Sequence, residues 1–385
     1  MPSSADVVSP RLRTLALIAV LAAALLYWRL SAPRFDLDRL DLPAGFSIDL
    51  YAEGLGDPRE LAVGDQGTVF AGTLEAGEVF ALPDRDRDGR ADTVLVIARG
   101  LFMPHGVAFH NGALYVAELR RVLRFDGIEQ RLEHPPDPVV IFDGLPSETH
   151  HGARPLRIGP DGALYVGIGA PCNVCEPSDS LFGTIARIDA GDASPRLTIH
   201  ARGVRNSEGF DWQPGTGTMW FTDNGRDWMG NDLPPEELNR LPAAGVHFGF
   251  PYCHGKSVAD PEFGTKRPCA DLQPPALELP AHHAPLGMRF YTGSMFPARY
   301  RGRAFIALHG SWNRSPPAGY RVVSVPIDGD SAGPAEVFVE GWLRGRRSWG
   351  RPVDVEVAKD GALLISDDEA GVIYRVSAGR ASTSP

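Results

Sequence analysis

The amino-acid sequence predicts an all-β protein, a six-bladed β-propeller preceded by an N-terminal hydrophobic signal-anchor helix. Three observations predict the propeller. The chain holds 43 Gly and 34 Pro among its 385 residues, and this density of turn formers is typical of many short strands. No long amphipathic helical pattern appears after residue 44. Finally, one strand–turn–strand unit recurs six times along the chain.

The repeated unit consists of an apolar strand, a Gly/Asp turn, a second apolar strand and a further strand with alternating apolar residues. Its copies lie at residues 60–73, 106–119, 155–169, 209–224, 287–312 and 353–368. The Asp-Gly and Asn-Gly turns, as in GPDGALYVGIG, are expected to join the two inner strands as tight hairpins. Units of about 40 to 60 residues are typical of propeller blades. An irregular β-sandwich, the alternative, would not repeat one motif six times.

The start of the chain has a different composition. Arg11 and Arg13 precede an uncharged apolar run at residues 14–28, which is the pattern of a secretion signal or a signal-anchor. The run is shorter than the roughly 20 residues of a full membrane span, and no small-x-small cleavage site follows it. We expect an uncleaved anchor in the inner membrane that holds the body in the periplasm. A cleaved signal, which would release the protein, and a buried helix are the alternatives.

These features divide the chain into four parts. We expect an anchor at residues 1–31, a linker at 32–44, a catalytic propeller at 45–378 and a disordered tail at 379–385. The formal net charge of −10 argues against nucleic acid as a partner, because basic surfaces bind phosphate backbones.

The chain has four cysteines in two local pairs. Cys172 and Cys175 form the motif CNVC, and Cys253 and Cys269 lie 16 residues apart. Glu176 follows the C-x-x-C where haem attachment needs His, and a four-thiolate zinc site would need a second C-x-x-C. We therefore expect two local disulfides that fix loops in an oxidising compartment.

The starts of the inner strands should meet at one site, because the loop before each of them opens onto the central channel of a propeller. Alignment of the six strand starts collects many charged and polar residues, namely Pro58, Arg59, Glu60, Pro104, His105, His150, His151, Arg154, Arg205, Asn206, Glu208, His282, His283, Arg351 and Asp354. Arg154, Arg205 and Arg351 predict an anionic ligand, because guanidinium groups pair bidentately with carboxylates and phosphates. The histidines fit a general base, metal ligands or structural groups.

A second candidate site is the acidic segment DRDRDGRAD. Its oxygen ligands match the first nine positions of a calcium loop, namely Asp84, Asp86, Asp88 and Asp92 with Gly89 at the sixth position. The usual Glu at the twelfth position is replaced by Leu95. The segment is either a structural Ca²⁺ site or a solvated turn. We expect it to follow the last strand of blade one, away from the channel.

Seven motifs resemble those of the sorbosone/glucose dehydrogenase family and follow the family's order over nearly all of the chain after residue 40. They are H-x-x-R at residues 151–154, IGPDGALYVGIG, CNVC, VRNSEG, TDNGRD, HGSWNRS and GRPVDV. Members of this family are quinoproteins that use pyrroloquinoline quinone (PQQ) on a six-bladed propeller. The resemblance implies PQQ, a planar tricarboxylate, and a Ca²⁺ ion as cofactors at the channel mouth.

The resemblance also implies roles for individual residues. His151 corresponds to the general base, and Arg205 and Asn206 correspond to the pair beside the reactive quinone oxygens. Arg351 corresponds to a carboxylate clamp. The backbone carbonyls of Gly225 and Arg226 correspond to ligands of the cofactor's Ca²⁺, and Asn313 or Arg314 lies where soluble glucose dehydrogenases have a cofactor-binding lysine.

The function that follows is oxidation of a sugar, an aldose or a polyol-type alcohol, with electrons passed to a membrane quinone or a cytochrome. Ala170 stands where the glucose enzymes have an acidic residue, so glucose itself is not the expected substrate. Two alternatives are open. A Ca²⁺-dependent lactonase or esterase would use Glu60, Asn206, Glu208 and Asp354 as metal ligands, and a non-enzymatic propeller would bind a carbohydrate or a protein.

Overall fold

The computed structural model describes residues 35–190 and 195–379. The chain divides into two compact units, Met1–Asp36 and Leu37–Pro385, and the second holds the β-structure. The predicted anchor and most of the predicted tail lie outside the described residues. Within the described residues, no helix is both long and apolar enough to cross a bilayer.

The described chain forms six four-stranded antiparallel sheets, which confirms the predicted six-bladed propeller. From the inner to the outer strand, the first two blades comprise Pro58–Val63, Val69–Thr73, Val79–Leu82 and Leu95–Ala98, and Gly106–His110, Ala113–Ala117, Arg121–Asp126 and Val139–Asp143. Blades three and four comprise Leu156–Ile158, Leu164–Ile168, Thr184–Asp189 and Arg196–Arg202, and Phe210–Trp212, Met219–Asp223, Glu236–Arg240 and Leu277–Leu279. Blades five and six comprise Pro285–Phe290, Ala304–Leu308, Arg321–Val325 and Glu336–Glu340, and Pro352–Val357, Leu363–Asp367, Val372–Ala378 and Phe46–Glu53.

Shorter elements lie in the loops of the described chain. Three two-stranded hairpins pair Cys253–His254 with Val258–Ala259, Ile327–Asp328 with Ser331–Ala332, and Leu343–Arg344 with Arg347–Ser348. Four 3₁₀ turns lie at Leu37–Arg39, Ile128–Gln130, Cys269–Asp271 and Ala298–Tyr300. Both predicted disulfides are present, Cys172–Cys175 and Cys253–Cys269.

The ring is closed by strands from the two ends of the propeller. Phe46–Glu53, the first strand in the chain, pairs antiparallel with Val372–Ala378, the last strand, so that blade six contains both. The second strand of each blade is an apolar run without alternation, as in VFAGT of blade one, because both of its faces are buried against neighbouring blades.

The inner strands present one edge to the channel, where no further strand pairs with their backbone N–H groups. Carboxylates from other blades accept several of these bonds. Glu60 accepts from Leu156 at 2.8 Å, and Asp354 accepts from Leu61 at 2.9 Å. Asp211 accepts from Phe290 at 2.8 Å. The inner strands are therefore joined across blade boundaries by side chain to backbone bonds.

The closing strand should depend on an aromatic cluster at its start. The Phe46 ring centroid lies 4.7 Å from that of Phe296, 5.3 Å from Tyr300 and 5.0 Å from Phe338, all edge to face. We predict that Phe46→Ala lowers the free energy of unfolding by about 2 kcal/mol, because it removes an aromatic anchor of the ring closure. Urea unfolding measures this. The neighbouring exposed Ser47→Ala should change the free energy by less than about 0.5 kcal/mol, and equal effects of the two changes would contradict the role of Phe46.

Candidate functional site

A cavity of about 230 Å³ opens at the channel mouth, where the inner strands begin. It brings together nine of the residues predicted from the strand starts and motifs, namely Arg59, His151, Arg205, Asn206, Glu208, Gly225, His282, Asn313 and Arg351. A larger cavity of about 600 Å³ lies at the opposite end of the channel. There the charged side chains are engaged with one another, as Arg157 and Arg289 are with Glu356. The mouth is therefore the better candidate site.

His151 enters the mouth from the loop before blade three, with a left-handed backbone (φ 49°) that is uncommon for a residue with a side chain. Its Nδ1 lies 2.8 Å from the carbonyl oxygen of Ala170. The neutral ring therefore donates from Nδ1 and leaves Nε2 as the acceptor. Gly169 permits this approach, since a Cβ there would lie 2.5 Å from the Cβ of His151. Burial, Arg205 and His150 together lower the pKa of His151 to about 3, so the ring is neutral at neutral pH.

Arg205 is almost fully buried in the wall of the mouth. Its guanidinium donates to the carbonyl of Asn173 at 2.8 Å, to Asn173 Oδ1 at 2.9 Å, to the carbonyl of Asn224 at 3.1 Å and to Asp227 at 3.2 Å. Its backbone N–H donates to Asp223 at 2.8 Å. Both the main chain and the side chain of Arg205 are thus fixed before any ligand binds.

The backbone of Arg351 is held in blade six in the same way as that of Arg205 in blade four. Its backbone N–H donates to Asp367 at 2.8 Å, and Asp367 ends the second strand of its blade as Asp223 does in blade four. The guanidinium donates to the carbonyl of Gly310 at 2.8 Å and lies over the ring of Tyr320. No described carboxylate forms an ion pair with Arg351, so its charge is available to an anionic ligand.

Arg59 lies between two carboxylates at the floor of the mouth. Its guanidinium is 2.5 Å from Glu208 and 2.5 Å from Asp368, and His309 Nε2 is 2.9 Å from Asp368. Burial opposes ionisation of Glu208, but the charge of Arg59 and the contact with His105 hold its pKa well below the usual range. Asp368 is lowered in pKa in the same way by His309 and Arg59, against the effect of burial. Both carboxylates are therefore ionised at neutral pH.

Three predicted residues have other surroundings. Arg154 is fully buried outside the cavity and donates to the carbonyls of Leu119, His151, Ala153 and Pro146. The structure therefore does not bring Arg154 together with the predicted cofactor contacts that line the cavity, and its contact with the cofactor stays a prediction. Arg314 does not line the cavity, and its guanidinium donates to the carbonyl of Asn231 at 2.9 Å. The Arg226 side chain pairs with Asp260 at 2.7 Å, so only its carbonyl remains as a candidate ligand.

The acidic segment of blade one brings three of its four aspartates together. Ligand oxygens of Asp84, Asp86 and Asp88 lie within 4.8 Å of one another, whereas Asp92 accepts the backbone N–H of Arg85 at 2.7 Å. The loop lies between the third and fourth strands of blade one, so the expectation that it follows the last strand was wrong. The segment forms the connection between the third strand of the blade, Val79–Leu82, and its outer strand, Leu95–Ala98.

Sequence reasoning missed several residues that organise the mouth, namely Asn173, Asp223, Asp227, Glu236, His309, Asp367 and Asp368. Glu236 accepts the backbone N–H of Gly225 at 2.6 Å. Asp223 and Asp367 share one signal that could have revealed them. Each is an Asp that ends the second strand of a blade, in TDN and SDD, directly opposite the start of the inner strand.

Comparison with known proteins identifies the family. The family model described as TrAA12-like matches residues 40–379. An uncharacterized protein of Borreliella burgdorferi is 33% identical over 352 residues, which cover 88% of this chain and 90% of the relative. The calcium structure of a Trichoderma reesei enzyme of carbohydrate-active enzyme family AA12 superimposes with a TM-score of 0.78 at 21% identity, covering 91% of this chain and 99% of that one.

A further relative carries an activity in its name. The pyrroloquinoline quinone-dependent pyranose dehydrogenase of Coprinopsis cinerea is 45% identical over 351 residues, and the match covers 76% of this chain. The chain spans only 45% of the length of that relative. The chain belongs to the TrAA12-like family, and this confirms the resemblance to PQQ-dependent sugar dehydrogenases found in the sequence motifs.

The buried carboxylates around the mouth predict an unusual pH dependence. Burial raises the pKa of Glu236 and of Asp367 to about 7, whereas carboxyl groups of the unfolded chain titrate near pH 4. At these two groups the folded state therefore binds more protons than the unfolded state between about pH 4 and 7, and their contribution to stability falls as the pH rises through 7. We expect the two groups to contribute a fall of about 1 kcal/mol or more to the free energy of unfolding of the cofactor-free protein between about pH 6 and 8.

Urea unfolding at several pH values measures this slope. Histidines whose pKa is lowered in the folded state oppose this fall up to about pH 7.5, because the same groups in the unfolded chain, with a pKa near 6.5, still lose protons there. Asp367→Asn keeps an acceptor oxygen for the backbone of Arg351 but cannot ionise, so it removes one carboxyl contribution and leaves the histidine contribution unchanged. The loss of stability with rising pH should therefore be smaller in Asp367→Asn than in the unmodified protein, and an identical pH dependence of the two would contradict the assignment.

Proposed function

We propose that this member of the TrAA12-like family is a PQQ-dependent dehydrogenase that oxidises a sugar, an aldose or a polyol-type alcohol at the channel mouth. One observation carries the proposal. Arg205 and Arg351 face the same cavity as the acceptor nitrogen of a neutral His151. An anion-binding pair beside a proton acceptor is what an anionic redox cofactor and an alcohol substrate require.

The residues of the mouth fit both cofactors. None of the described residues donates a hydrogen bond to the carbonyl oxygens of Gly225 or Arg226, and such hard oxygens suit Ca²⁺. Arg351 has no carboxylate partner among the described residues and fits a cofactor carboxylate. Asn313, which donates to Asp227 at 2.6 Å, supports the loop beside Arg205. The PQQ dependence of the Coprinopsis relative supports PQQ, and the calcium structure of the Trichoderma AA12 enzyme supports Ca²⁺.

The residues of this chain then act as follows. His151 accepts the proton of the substrate hydroxyl at Nε2, because Nδ1 is committed to Ala170. Arg205 stabilises negative charge that develops beside it, since its position is fixed by four acceptor groups. PQQ, when bound, supplies the hydride acceptor.

The lactonase alternative receives less support from the geometry. Its candidate ligands are already engaged, since Glu60 accepts the backbone of Leu156 and Glu208 pairs with Arg59. Asp354 accepts the backbone of Leu61 and lies 3.3 Å from Arg289. A quinone or cytochrome as electron acceptor, together with a periplasmic location and an N-terminal anchor, completes the proposal and rests on the sequence alone.

Reconstitution tests the proposed function. The purified propeller is titrated with PQQ in the presence of Ca²⁺, and binding is followed by absorbance and by tryptophan fluorescence. Dye reduction is then measured with a panel of aldoses, pyranoses and polyols. Saturable binding and sugar-dependent dye reduction are expected. Absence of PQQ binding at micromolar concentration, or hydrolysis of a lactone without PQQ, would overturn the proposal.

His151 provides a sharper test of the mechanism. We predict that His151→Ala lowers kcat by about a hundredfold or more, because proton transfer loses its acceptor, while PQQ affinity changes by less than about threefold. Ser47→Ala serves as a surface control with normal turnover. The acid limb of the pH–rate profile should lie below 6.5, as the lowered pKa of His151 requires. Normal turnover of His151→Ala would exclude this histidine as the base.

A further inference from the structure

The segment between Gly169 and Cys175 contacts both reactive side chains of the mouth. We call residues 170–175 the strap. Within it, the carbonyl of Ala170 accepts from His151, and the N–H of Ala170 donates to the carbonyl of Arg205 at 2.7 Å. The Cys172–Cys175 disulfide then closes a short loop around Asn173. Its only two interior positions are Asn173 and Val174.

Asn173 forms hydrogen bonds with both Arg205 and Asp227 in the wall of the mouth. Its carbonyl oxygen accepts from Arg205 Nε, and its Oδ1 accepts from Arg205 Nη2. The same Oδ1 accepts the backbone N–H of Asp227 at 2.8 Å, while its Nδ2 donates to the carbonyl of Asp227 at 3.3 Å. Asn173 therefore occupies two of the donor groups of Arg205 and both backbone polar groups of Asp227.

The position of Asn173 needs a cause, because no regular strand holds it. The chain between Ile168 and Thr184 has no strand, and an open segment of that length would sample many conformations. The disulfide removes most of that freedom at the two residues that flank the Asn173–Val174 pair. Glu176, next in sequence, accepts the hydroxyl of Tyr252 at 3.0 Å and so fixes the exit from the strap.

We propose that Asn173 is a positioning residue that orients Arg205 for the cofactor, and that the Cys172–Cys175 disulfide holds Asn173 in place. The predicted effect of Asn173 on turnover rests on the proposed function, whereas its predicted effect on the geometry of Arg205 does not. Asn173 touches Arg205 and Asp227 and acts on the reaction through them.

Variants at residue 173 test the first part. Asn173→Ala removes the side-chain acceptor and should lower both PQQ affinity and kcat about tenfold, since a bond to a charged donor is lost. The KM for sugar should stay within about twofold, because Arg205 contacts the cofactor and not the body of the substrate. Asn173→Asp keeps the acceptor oxygen and should stay within about threefold of the unmodified protein in kcat. Wild-type behaviour of Asn173→Ala, or equal loss in both variants, would overturn the proposal.

The two disulfides supply a matched control for the second part. The double change Cys172→Ser and Cys175→Ser should lower PQQ affinity and kcat in the manner of Asn173→Ala. The double change Cys253→Ser and Cys269→Ser opens a longer loop and should lower Tm more, yet it should lower PQQ affinity and kcat less than the loss of the Cys172–Cys175 bond does. If removal of the Cys172–Cys175 bond left the cofactor site unaffected, the role of the disulfide would be refuted.

A structural measurement separates this proposal from the proposed function. Crystal structures of the cofactor-free variants should show Arg205 displaced in Asn173→Ala and retained in Asn173→Asp. If the unmodified protein binds no PQQ, the proposed function fails, and these structures still decide whether Asn173 positions Arg205. An Arg205 side chain that stays in place in Asn173→Ala would overturn the positioning role, and thermal unfolding confirms that each variant is folded.

Discussion

The structure depends on buried carboxylates that accept backbone N–H groups along the channel. Six inner strands meet around the axis with one edge each unpaired, and a buried N–H without a partner costs free energy comparable to a lost hydrogen bond. Glu60 and Asp354 meet this need deep in the channel, and Asp223 and Asp367 meet it at the mouth. The residues that start inner strands at the mouth are thereby fixed in place. The interaction that stabilises the fold also determines the geometry of the candidate site.

A second group of carboxylates determines the electrostatics of the mouth. An ionised carboxyl group in a buried channel needs a cation nearby. Arg59 lies between Glu208 and Asp368 and provides the positive charge for both. Arg205 is partly neutralised by Asp227, whereas Arg351 is bonded to carbonyl oxygens and to no described carboxylate. Arg351 is therefore the least neutralised of these three arginines and is the one best suited by charge to pair with an anionic ligand.

Much of the fold could be predicted from the sequence, because hairpin turns and apolar strands are local signals that repeat in every blade. The strand starts also predicted seven of the residues that line the mouth, since propeller geometry brings one end of every inner strand to the axis. Arg154 does not line the cavity, because sequence position does not show where a side chain points, and its guanidinium bonds the carbonyls of its own loop. Asn173 was missed for the opposite reason, because an asparagine in an irregular loop gives no periodic signal.

The two candidate arginines come from blades four and six, and the loop of blade five connects them. The carbonyls of His309 and Gly310 in that loop bind the guanidinium of Arg351. Asn313, three residues later, binds Asp227, which in turn contacts Arg205. The motif HGSWNR thus links Arg351 to Arg205. Each of these arginines lies at the start of the inner strand of its blade. A displacement of this loop would disturb contacts of both arginines, so the loop adds to the bonds from Asn173 and Asp223 that fix Arg205 and helps to hold the spacing that a rigid planar ligand requires.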